Sequence, residues 1–305
     1  MLACITGRRK RPRRVRRRQR FLLRFSIMSQ QPVRRAAVAG SWYPGTAAAL
    51  AAEVDAYLGE ASPGVPADSV DAVIAPHAGL MYSGPVAAWA YRAVQGGPYE
   101  AVILIGPSHH VGFEGVAVFR RGVFETPLGE AAIDEELASA ILKSTHVARE
   151  HLQAHAREHS LEMQLPFLRR VLPEVPIVPI LMGHQSSGTV SSLAEGLSRA
   201  VSGRRVLFVA SSDLSHYLPA ATAAAVDGRV LDLVRRFDAD GLCEELKAQP
   251  DHACGGGPIV AVMRAARALG ARDGRVLKYA DSGDVSGDKS AVVGYMAAAF
   301  GRFDS

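Results

Sequence analysis

Three apolar runs of the chain each end in histidine, and these histidines are the residues best suited to metal or acid–base chemistry. The runs cover residues 72–77, 101–110 and 206–216, and they end in His77, in His109 with His110, and in Asp213 with His216. Short β-branched runs without polar alternation are typical of strands buried on both faces. Ligands bind at the carboxyl ends of such strands, so we expect these side chains to meet at one sheet edge, with His77 and His109 on adjacent strands. Imidazoles gathered there could ligate a metal ion or move protons.

The third run ends in Ser-Ser-Asp-Leu-Ser-His, which offers both a carboxylate and an imidazole. Asp213 could hold a neighbouring imidazole in one tautomer, as carboxylates behind metal ligands do. His216 could act as a general acid or base. The alternative is structural, because Ser and Asp ahead of an apolar segment commonly cap a helix. We predict that Asp213 and His216 are catalytic and that Ser211 lies beside them in the site.

Cys254 lies in a glycine-rich turn, ahead of a predicted helix with Pro258 in its first turn. A cysteine beside a helix N-terminus should have a lowered pKa, and the thiolate is the form that binds metals. We therefore predict a functional thiol with Gly255 beside it, the alternative being a small buried hydrophobe, as we interpret Cys243. The glycines at 255–257 could also cradle an anion. They do not form a phosphate-binding P-loop, because no Lys-Ser/Thr pair follows them.

A further cluster, Glu158-His159-Ser160-Leu161-Glu162, combines acids with an imidazole. It lacks the two histidines of an H-E-x-x-H metalloprotease helix. We interpret Glu158 and His159 as the wall of the pocket or as supports for its ligands, the alternative being a helix start with capping acids. Adjacent side chains point in different directions, so we expect at most one of His109 and His110 to ligate a shared metal and the other to orient a neighbour or to bind substrate.

Strand and helix patterns alternate along the chain, which is typical of a sheet between helices. The predicted strands cover 71–75, 101–105, 114–119, 122–126, 176–182, 205–210, 275–280 and 290–299, with a hairpin over 114–126. The predicted helices cover 46–58, 84–94, 134–142, 159–171, 190–201, 220–236, 239–247 and 257–269. These patterns predict an α/β fold with a mostly parallel or mixed central sheet flanked by helices on both faces. The last strand is expected to be antiparallel or to lie at an edge.

The net charge of +5 comes from the first 27 residues of the chain. They hold ten arginines, Lys10 and no acid, and the remainder carries 24 basic and 30 acidic residues, a net charge of −6. This leader is a basic arm for nucleic acid or anionic lipid, a targeting segment, or an over-extended gene start with Met28 as the initiator. We favour the last and expect residues 1–30 to be disordered. The acidic body argues against a nucleic-acid partner.

Cysteine usage and hydropathy bear on the compartment. Cys4, Cys243 and Cys254 do not form a disulfide framework, so a reducing cytoplasm is the default. No apolar run approaches the ~20 residues needed to span a bilayer. We therefore expect a cytoplasmic protein without membrane contact, in which residues 34–303 form a single α/β domain.

Seven short strings of the chain occur in an order that resembles a known family. They are residues 39–44, 74–79, 106–110, 158–166, 211–216, 254–255 and 281–284. Together they resemble the Memo family, in particular its prokaryotic branch, protein B of the AmmeMemoRadiSam system. The resemblance spans roughly residues 34–301, so the leader lies outside it. It implies the three-layer fold of the LigB-like class III extradiol dioxygenases.

The resemblance also implies a ligand set. LigB-like dioxygenases hold non-haem Fe(II) with two histidines and a glutamate. By this pattern His77 and His109 correspond to the histidine ligands, Cys254 stands where the glutamate would be, and His216 corresponds to the acid–base catalyst. The cysteine changes the chemistry, because a thiolate favours Zn, Cu(I) or a differently tuned iron. The expected cofactor is therefore Fe(II) or copper, with zinc as the further candidate.

Two functions of different classes follow from this resemblance. The first is a metal-dependent, dioxygenase-like oxidoreductase that acts on a small molecule, with AMMECR-type and radical-SAM proteins as partners. The second is a non-catalytic adaptor that holds a metal, a small molecule or a peptide on the same scaffold. The sequence leaves the substrate, the native metal and the oligomeric state open.

Overall fold

The structure is a computed structural model that describes residues 31–201 and 203–303. The predicted disorder of residues 1–30 and the predicted start at Met28 lie outside the described residues. The strands are β1 (Val33–Arg34), β2 (Val70–Ala75), β3 (Ala101–Pro107), β4 (Val116–Val118), β5 (Val123–Thr126), β6 (Gly129–Ala132), β7 (Ala148–Glu150), β8 (Ile177–Met182), β9 (Val206–Ser211), β10 (His216–Leu218), β11 (Asp273–Asp281) and β12 (Val292–Gly301). The helices are α1 (Ala47–Glu60), α2 (Leu80–Arg92), α3 (Glu135–Ser144), α4 (Leu152–His155), α5 (Leu165–Val171), α6 (Ser187–Ala200), α7 (Ala220–Arg235), α8 (Ala239–Ala248), α9 (Gly256–Ala268) and α10 (Gly283–Ser286).

The central sheet is mixed and follows the order β10-β12-β2-β9-β3-β8-β4-β7, with β11 paired along the other side of β12. Its middle strands β2, β9, β3 and β8 are parallel, whereas β12 and β4 run antiparallel to their neighbours β2 and β8. Every residue of the four parallel strands is buried, which requires helices on both faces. Helices α1, α2 and α5 pack together as one group, and α6, α8 and α9 as another. The predicted α/β fold is confirmed.

The predicted hairpin over 114–126 is wrong. Strand β4 lies in the central sheet between β8 and β7, whereas β5 belongs to a separate three-stranded sheet with β1 and β6. The chain turns away at Gly122, whose φ is +101° and where a Cβ would lie 1.9 Å from the carbonyl oxygen of Pro32. One partner of β5 is the next strand, β6, and the other is β1, about ninety residues earlier in the chain, which local sequence could not indicate.

Helix α2 begins at Leu80, four residues before the predicted start at residue 84. Gly84 and Pro85 resemble helix breakers, but Gly84 is needed for packing, because a Cβ there would lie 2.6 Å from the ring of Tyr57 in α1. The final strand, β12, is antiparallel as expected, but it lies inside the sheet and not at an edge. Among the described residues, no helix combines the length and the apolar character needed to cross a bilayer.

The buried His155 makes the stability of the fold sensitive to acid. Its Nε2–H donates to the carbonyl oxygen of Ala117 at 3.1 Å, and among the described residues its Nδ1 has no hydrogen-bond partner. Burial, only partly offset by that hydrogen bond, lowers the pKa of His155 to about 3. Below pH ~6.5 the imidazole of His155 therefore binds a proton in the unfolded chain but stays neutral in the folded chain.

We expect this proton to lower the free energy of unfolding by up to about 1.4 kcal/mol per pH unit as the pH falls from ~6.5 towards 3. His155→Gln keeps a donor for Ala117 but does not titrate, so its stability should fall less steeply with acid. Urea unfolding of both proteins at pH 7.5, 5.5 and 4.5 measures the difference. Equal slopes in the two proteins would show that His155 does not control the acid response.

Candidate metal centre

The site lies where three parallel strands end side by side. Strands β2, β9 and β3 are consecutive in the sheet, and His77, Asp213 and His109 follow their carboxyl ends. The expectation that His77 and His109 lie on adjacent strands is wrong, because β9 separates β2 from β3. The intervening strand places its own end, Ser211 to Asp213, between the two histidines, which lets one carboxylate and one hydroxyl contact the site.

Three potential ligand atoms converge at this edge. A ring nitrogen of His77, a ring nitrogen of His109 and the sulfur of Cys254 lie within 4.8 Å of one another. Nε2 of His77 is 3.2 Å from Sγ of Cys254. A metal that binds nitrogen at about 2.0 Å and sulfur at about 2.3 Å keeps these atoms roughly 3.1 to 3.6 Å apart. The His77–Cys254 pair therefore has the spacing of two ligands of one transition-metal ion, and His109 supplies a third donor within 4.8 Å of both.

The tautomer of His77 is set by the hydroxyl of Ser211. Ser211 Oγ donates to the carbonyl oxygen of Ser160 at 2.7 Å and accepts from Nε2 of Gln164 at 2.8 Å. Its only proton is thus used, so it accepts from Nδ1–H of His77 at 2.7 Å. Nε2 of His77 keeps its lone pair and faces Cys254. Burial, reinforced by the neighbouring histidines, lowers the pKa of His77 well below its ordinary value and keeps the ring neutral.

The carboxylate of Glu158 orients His109. Its two oxygens accept from the backbone N–H of His109 at 2.6 Å and from the Nδ1 side of the ring at 2.9 Å, which leaves Nε2 free to ligate. Burial alone would raise the pKa of Glu158, but these bonds and one from the N–H of Ser160 hold that pKa well below its usual range. Glu158 therefore stays ionised behind the imidazole.

Cys254 precedes α9 and accepts a hydrogen bond at its Sγ from the N–H of Asp213 at 3.3 Å. The expected lowering of its pKa is wrong for the thiol without a metal. Burial, followed by the negative charge of Asp213, raises the pKa of Cys254 above its ordinary range. A bound cation would reverse this balance, because it stabilises the thiolate directly.

The three glycines at 255–257 serve packing, and the alternative in which they cradle an anion is wrong. Their N–H groups already donate to protein acceptors, namely Ser212 Oγ at 2.9 Å, Ala253 O at 3.2 Å and Gln185 Oε1 at 2.6 Å. A Cβ on Gly255 would lie 2.3 Å from the carbonyl oxygen of Ser211. Glycine at this position lets the start of α9 approach the end of β9 closely enough to bring the sulfur to the histidines.

Gly255→Ala should therefore destabilise the protein by at least about 1 kcal/mol, because backbone must move to admit the methyl group. The matched control is Gly228→Ala in α7, where nothing lies within 4 Å of the added Cβ. That change should stabilise the helix by roughly 0.5–1 kcal/mol. Urea denaturation of the three proteins measures both effects, and a neutral Gly255→Ala would show that this close approach is not required.

Asp213 and His216 lie in the same cavity as the histidines, with a volume of about 340 Å³. Asp213 Oδ1 accepts the N–H of His77 at 2.7 Å, and Oδ2 is 4.0 Å from Nε2 of that ring. Burial raises the pKa of Asp213 to about 6. The helix-cap alternative is wrong, because the next helix, α7, begins after Pro219 without a side-chain cap. The catalytic roles of Asp213 and His216 stay predictions.

His159 forms a wall of this cavity. The predicted helix over 159–171 starts only at Leu165, after a short 3₁₀ turn, so Glu158 and His159 lie in the preceding loop. The His159 ring stacks on His109, with centroids 4.6 Å apart, and burial lowers its pKa to about 4. His110 is exposed, its ring centroid is 6.0 Å from that of His159, and it lies outside the group of converging ligand atoms.

Trp42 is a site residue to which the sequence analysis assigned no role. Its ring lies 4.4 Å from the His159 ring and lines the cavity. The buried carboxylate of Glu162 holds this segment in place, because it pairs with the guanidinium of Arg34 and accepts the hydroxyl of Tyr43 at 2.6 Å. The Gly-Ser-Trp-Tyr string at residues 40–43 belongs to the family resemblance, but nothing in it indicates a contact with His159 or Glu162, more than a hundred residues later in the chain.

Asp227 is a second residue that the sequence analysis missed. It is fully buried in α7, where Oδ1 accepts the N–H of Ser215 at 3.0 Å and Oδ2 accepts the hydroxyl of Tyr279 at 2.8 Å. These bonds fix the backbone immediately before His216. The sequence shows only that Asp227 is an acidic residue among the apolar residues of α7. This position does not indicate that its carboxylate binds Ser215 and Tyr279.

Proteins of similar sequence cover most of this chain. The sequence model of the Memo-like protein family matches residues 34–299. A MEMO1 family protein of Methanothermobacter thermautotrophicus is 39% identical over 272 residues, which cover 86% of this chain and 98% of the relative. One from Ignicoccus hospitalis is 40% identical over 281 residues, 88% and 98% of the two chains. A crystal structure of an uncharacterised Escherichia coli K12 protein superposes with a TM-score of 0.48 at 13% identity, covering 67% of this chain and 86% of that one. The chain belongs to the Memo-like protein family.

Proposed function

We propose that this protein is a metal-dependent oxidoreductase that binds one transition-metal ion through His77, His109 and Cys254. Fe(II) and copper are the principal candidates, and zinc is the third. The observation that carries the proposal is the convergence of two imidazole nitrogens and one sulfur, with the hydrogen bond at Nδ1 of each imidazole leaving its Nε2 lone pair free. Such supporting bonds are characteristic of metal-binding histidines.

Three protein ligands leave coordination positions open for a small molecule. The bound metal would supply Lewis-acid or one-electron chemistry in the cavity of about 340 Å³ beside it. His216 lines that cavity and is the residue we propose for proton transfer. Asp213 is buried against the N–H of His77 and would hold this ligand and the thiol loop in register.

The proposed partners rest on the family resemblance, and the proposed compartment rests on the cysteine usage. We propose that an AMMECR-type protein and a radical-SAM protein act with it, and that it works in the cytoplasm. Cys243 and Cys254 are both free thiols in the described chain. A reducing compartment would keep Cys254 available as a ligand.

The test is metal analysis of protein purified without oxygen, followed by oxygen-uptake measurements with small catechol-like compounds. We expect about one equivalent of iron, copper or zinc per chain and oxygen consumption that depends on that metal. Metal binding without turnover would favour the alternative of a non-catalytic adaptor. Absence of stoichiometric metal after anaerobic purification and after reloading would overturn the proposal.

A further inference from the structure

A second cavity opens beside the metal centre and has a basic lining. It has a volume of about 480 Å³, and Arg35, Arg157 and His110 contribute its polar groups. We name this cavity the basic subsite. Trp42 and His159 line both it and the cavity of the metal centre, so the two cavities share one wall of two rings. The basic subsite therefore lies next to the cavity of the metal centre, with these two rings at the boundary.

The charge of the basic subsite is not neutralised from within. Among the described residues that line it, none carries a carboxylate. The nearby Glu158 is buried, does not line the basic subsite, and already accepts three hydrogen bonds from His109 and Ser160. Arg35 meets Glu125 at 3.5 Å, but the two side chains are 82% and 41% exposed, and such a surface pair contributes little. An incoming anion can replace it.

We infer that the basic subsite binds an anionic group, a carboxylate or a phosphate, on the substrate whose other end reaches the metal. Guanidinium groups match both oxyanions through paired N–H donors, and an imidazole adds a further donor. The rings of Trp42 and His159 would contact the apolar part of the molecule between its two polar ends. This inference rests on the proposed metal site, and it narrows the substrate class to small molecules with a negatively charged tail.

The test uses two hydroxamates of equal length, one with a carboxylate tail and one with a methylamide tail, on protein loaded with Co(II). The hydroxamate end binds the metal in both, so the neutral compound reports the metal site alone. We expect the carboxylate compound to bind at least about tenfold more tightly, as measured by changes in the cobalt absorption spectrum. The advantage should shrink at high salt, because it is electrostatic.

Arg157→Gln should remove most of that advantage and leave the binding of the neutral compound unchanged. Arg236→Gln is the matched control, because it removes the same charge from an exposed position outside the basic subsite. A phosphonate-tailed hydroxamate compares phosphate-like with carboxylate ligands, and the tighter of the two identifies the preferred oxyanion.

The outcomes separate the two proposals. If neither hydroxamate perturbs the cobalt spectrum, the metal site is wrong. If both bind equally, or if Arg157→Gln and Arg236→Gln have the same effect, the metal site stands and the anionic subsite is overturned.

Discussion

Replacing Cys254 with serine is expected to reduce the affinity for the metal ion by at least about 100-fold. Loss of a residue that merely supports a metal ligand costs 10- to 100-fold, and Cys254 is proposed to be a ligand itself. A serine hydroxyl is a poor substitute, because it stays protonated and is a hard, weakly donating oxygen. Equilibrium dialysis with Co(II) measures the affinity, and the thiolate-to-cobalt charge-transfer band in the near ultraviolet reports the sulfur directly. That band should disappear.

Cys243→Ser is the matched control for this experiment. Cys243 is also a free cysteine, it is 8% exposed and it lies outside the group of converging ligand atoms. It should keep both the affinity and the charge-transfer band. Retention of the band in Cys254→Ser, or its loss in Cys243→Ser, would remove Cys254 from the site and leave the two histidines without a third donor.

The position of the histidines could be predicted from the chain because strand ends are encoded locally. Runs such as 101–105 are apolar without alternation, so they must be buried, and a polar residue directly after them must lie at the sheet edge. The order of the strands is not local. That β9 separates β2 from β3 depends on packing across the whole sheet, so the sequence could place Asp213 near the histidines but could not indicate that it accepts the backbone N–H of His77.

Cys254 illustrates a different limit of sequence reasoning. Its place before a helix indicated a lowered pKa, which is correct for a thiol that faces free N–H groups and solvent. Here the neighbouring N–H groups are already bound, and the carboxylate of Asp213 adds negative charge nearby. The pKa of this thiol is therefore raised, whereas its place before a helix alone would lower it. Burial and neighbouring charge decide the direction, and both depend on the tertiary structure.

Supporting residues were harder to predict than ligands. Gln164 and Ser211 determine which nitrogen of His77 is free, yet both are ordinary polar residues in sequence. Trp42 contacts His159 from a segment that Glu162 holds through the hydroxyl of Tyr43. Ligand residues can be recognised in a sequence by their residue type. Residues that orient the ligands can be recognised only by their hydrogen bonds, and those bonds exist only in the folded chain.

Replacing Glu158 with glutamine should weaken metal binding by about 10- to 100-fold without abolishing it. The amide retains the shape of the side chain but can accept at only one of its two ends, so either the N–H or the Nδ1 side of His109 faces a second donor. The imidazole then loses its fixed orientation and its charged partner. Cobalt titration should show a weaker site that still fills to one equivalent with its charge-transfer band intact.

This experiment also decides between two groupings of side chains at the edge of the sheet. His109, Glu158 and His159 form a second cluster whose ligand atoms lie within 4.8 Å of one another. If the metal bound there, Glu158→Gln would remove a ligand and Cys254→Ser would not. We expect the reverse ranking, because three N–H donors already bind the Glu158 carboxylate, whereas Nε2 of His77 and Nε2 of His109 are free to ligate beside the sulfur of Cys254. Glu174→Gln, at an exposed position, is the control and should bind metal as the unaltered protein does.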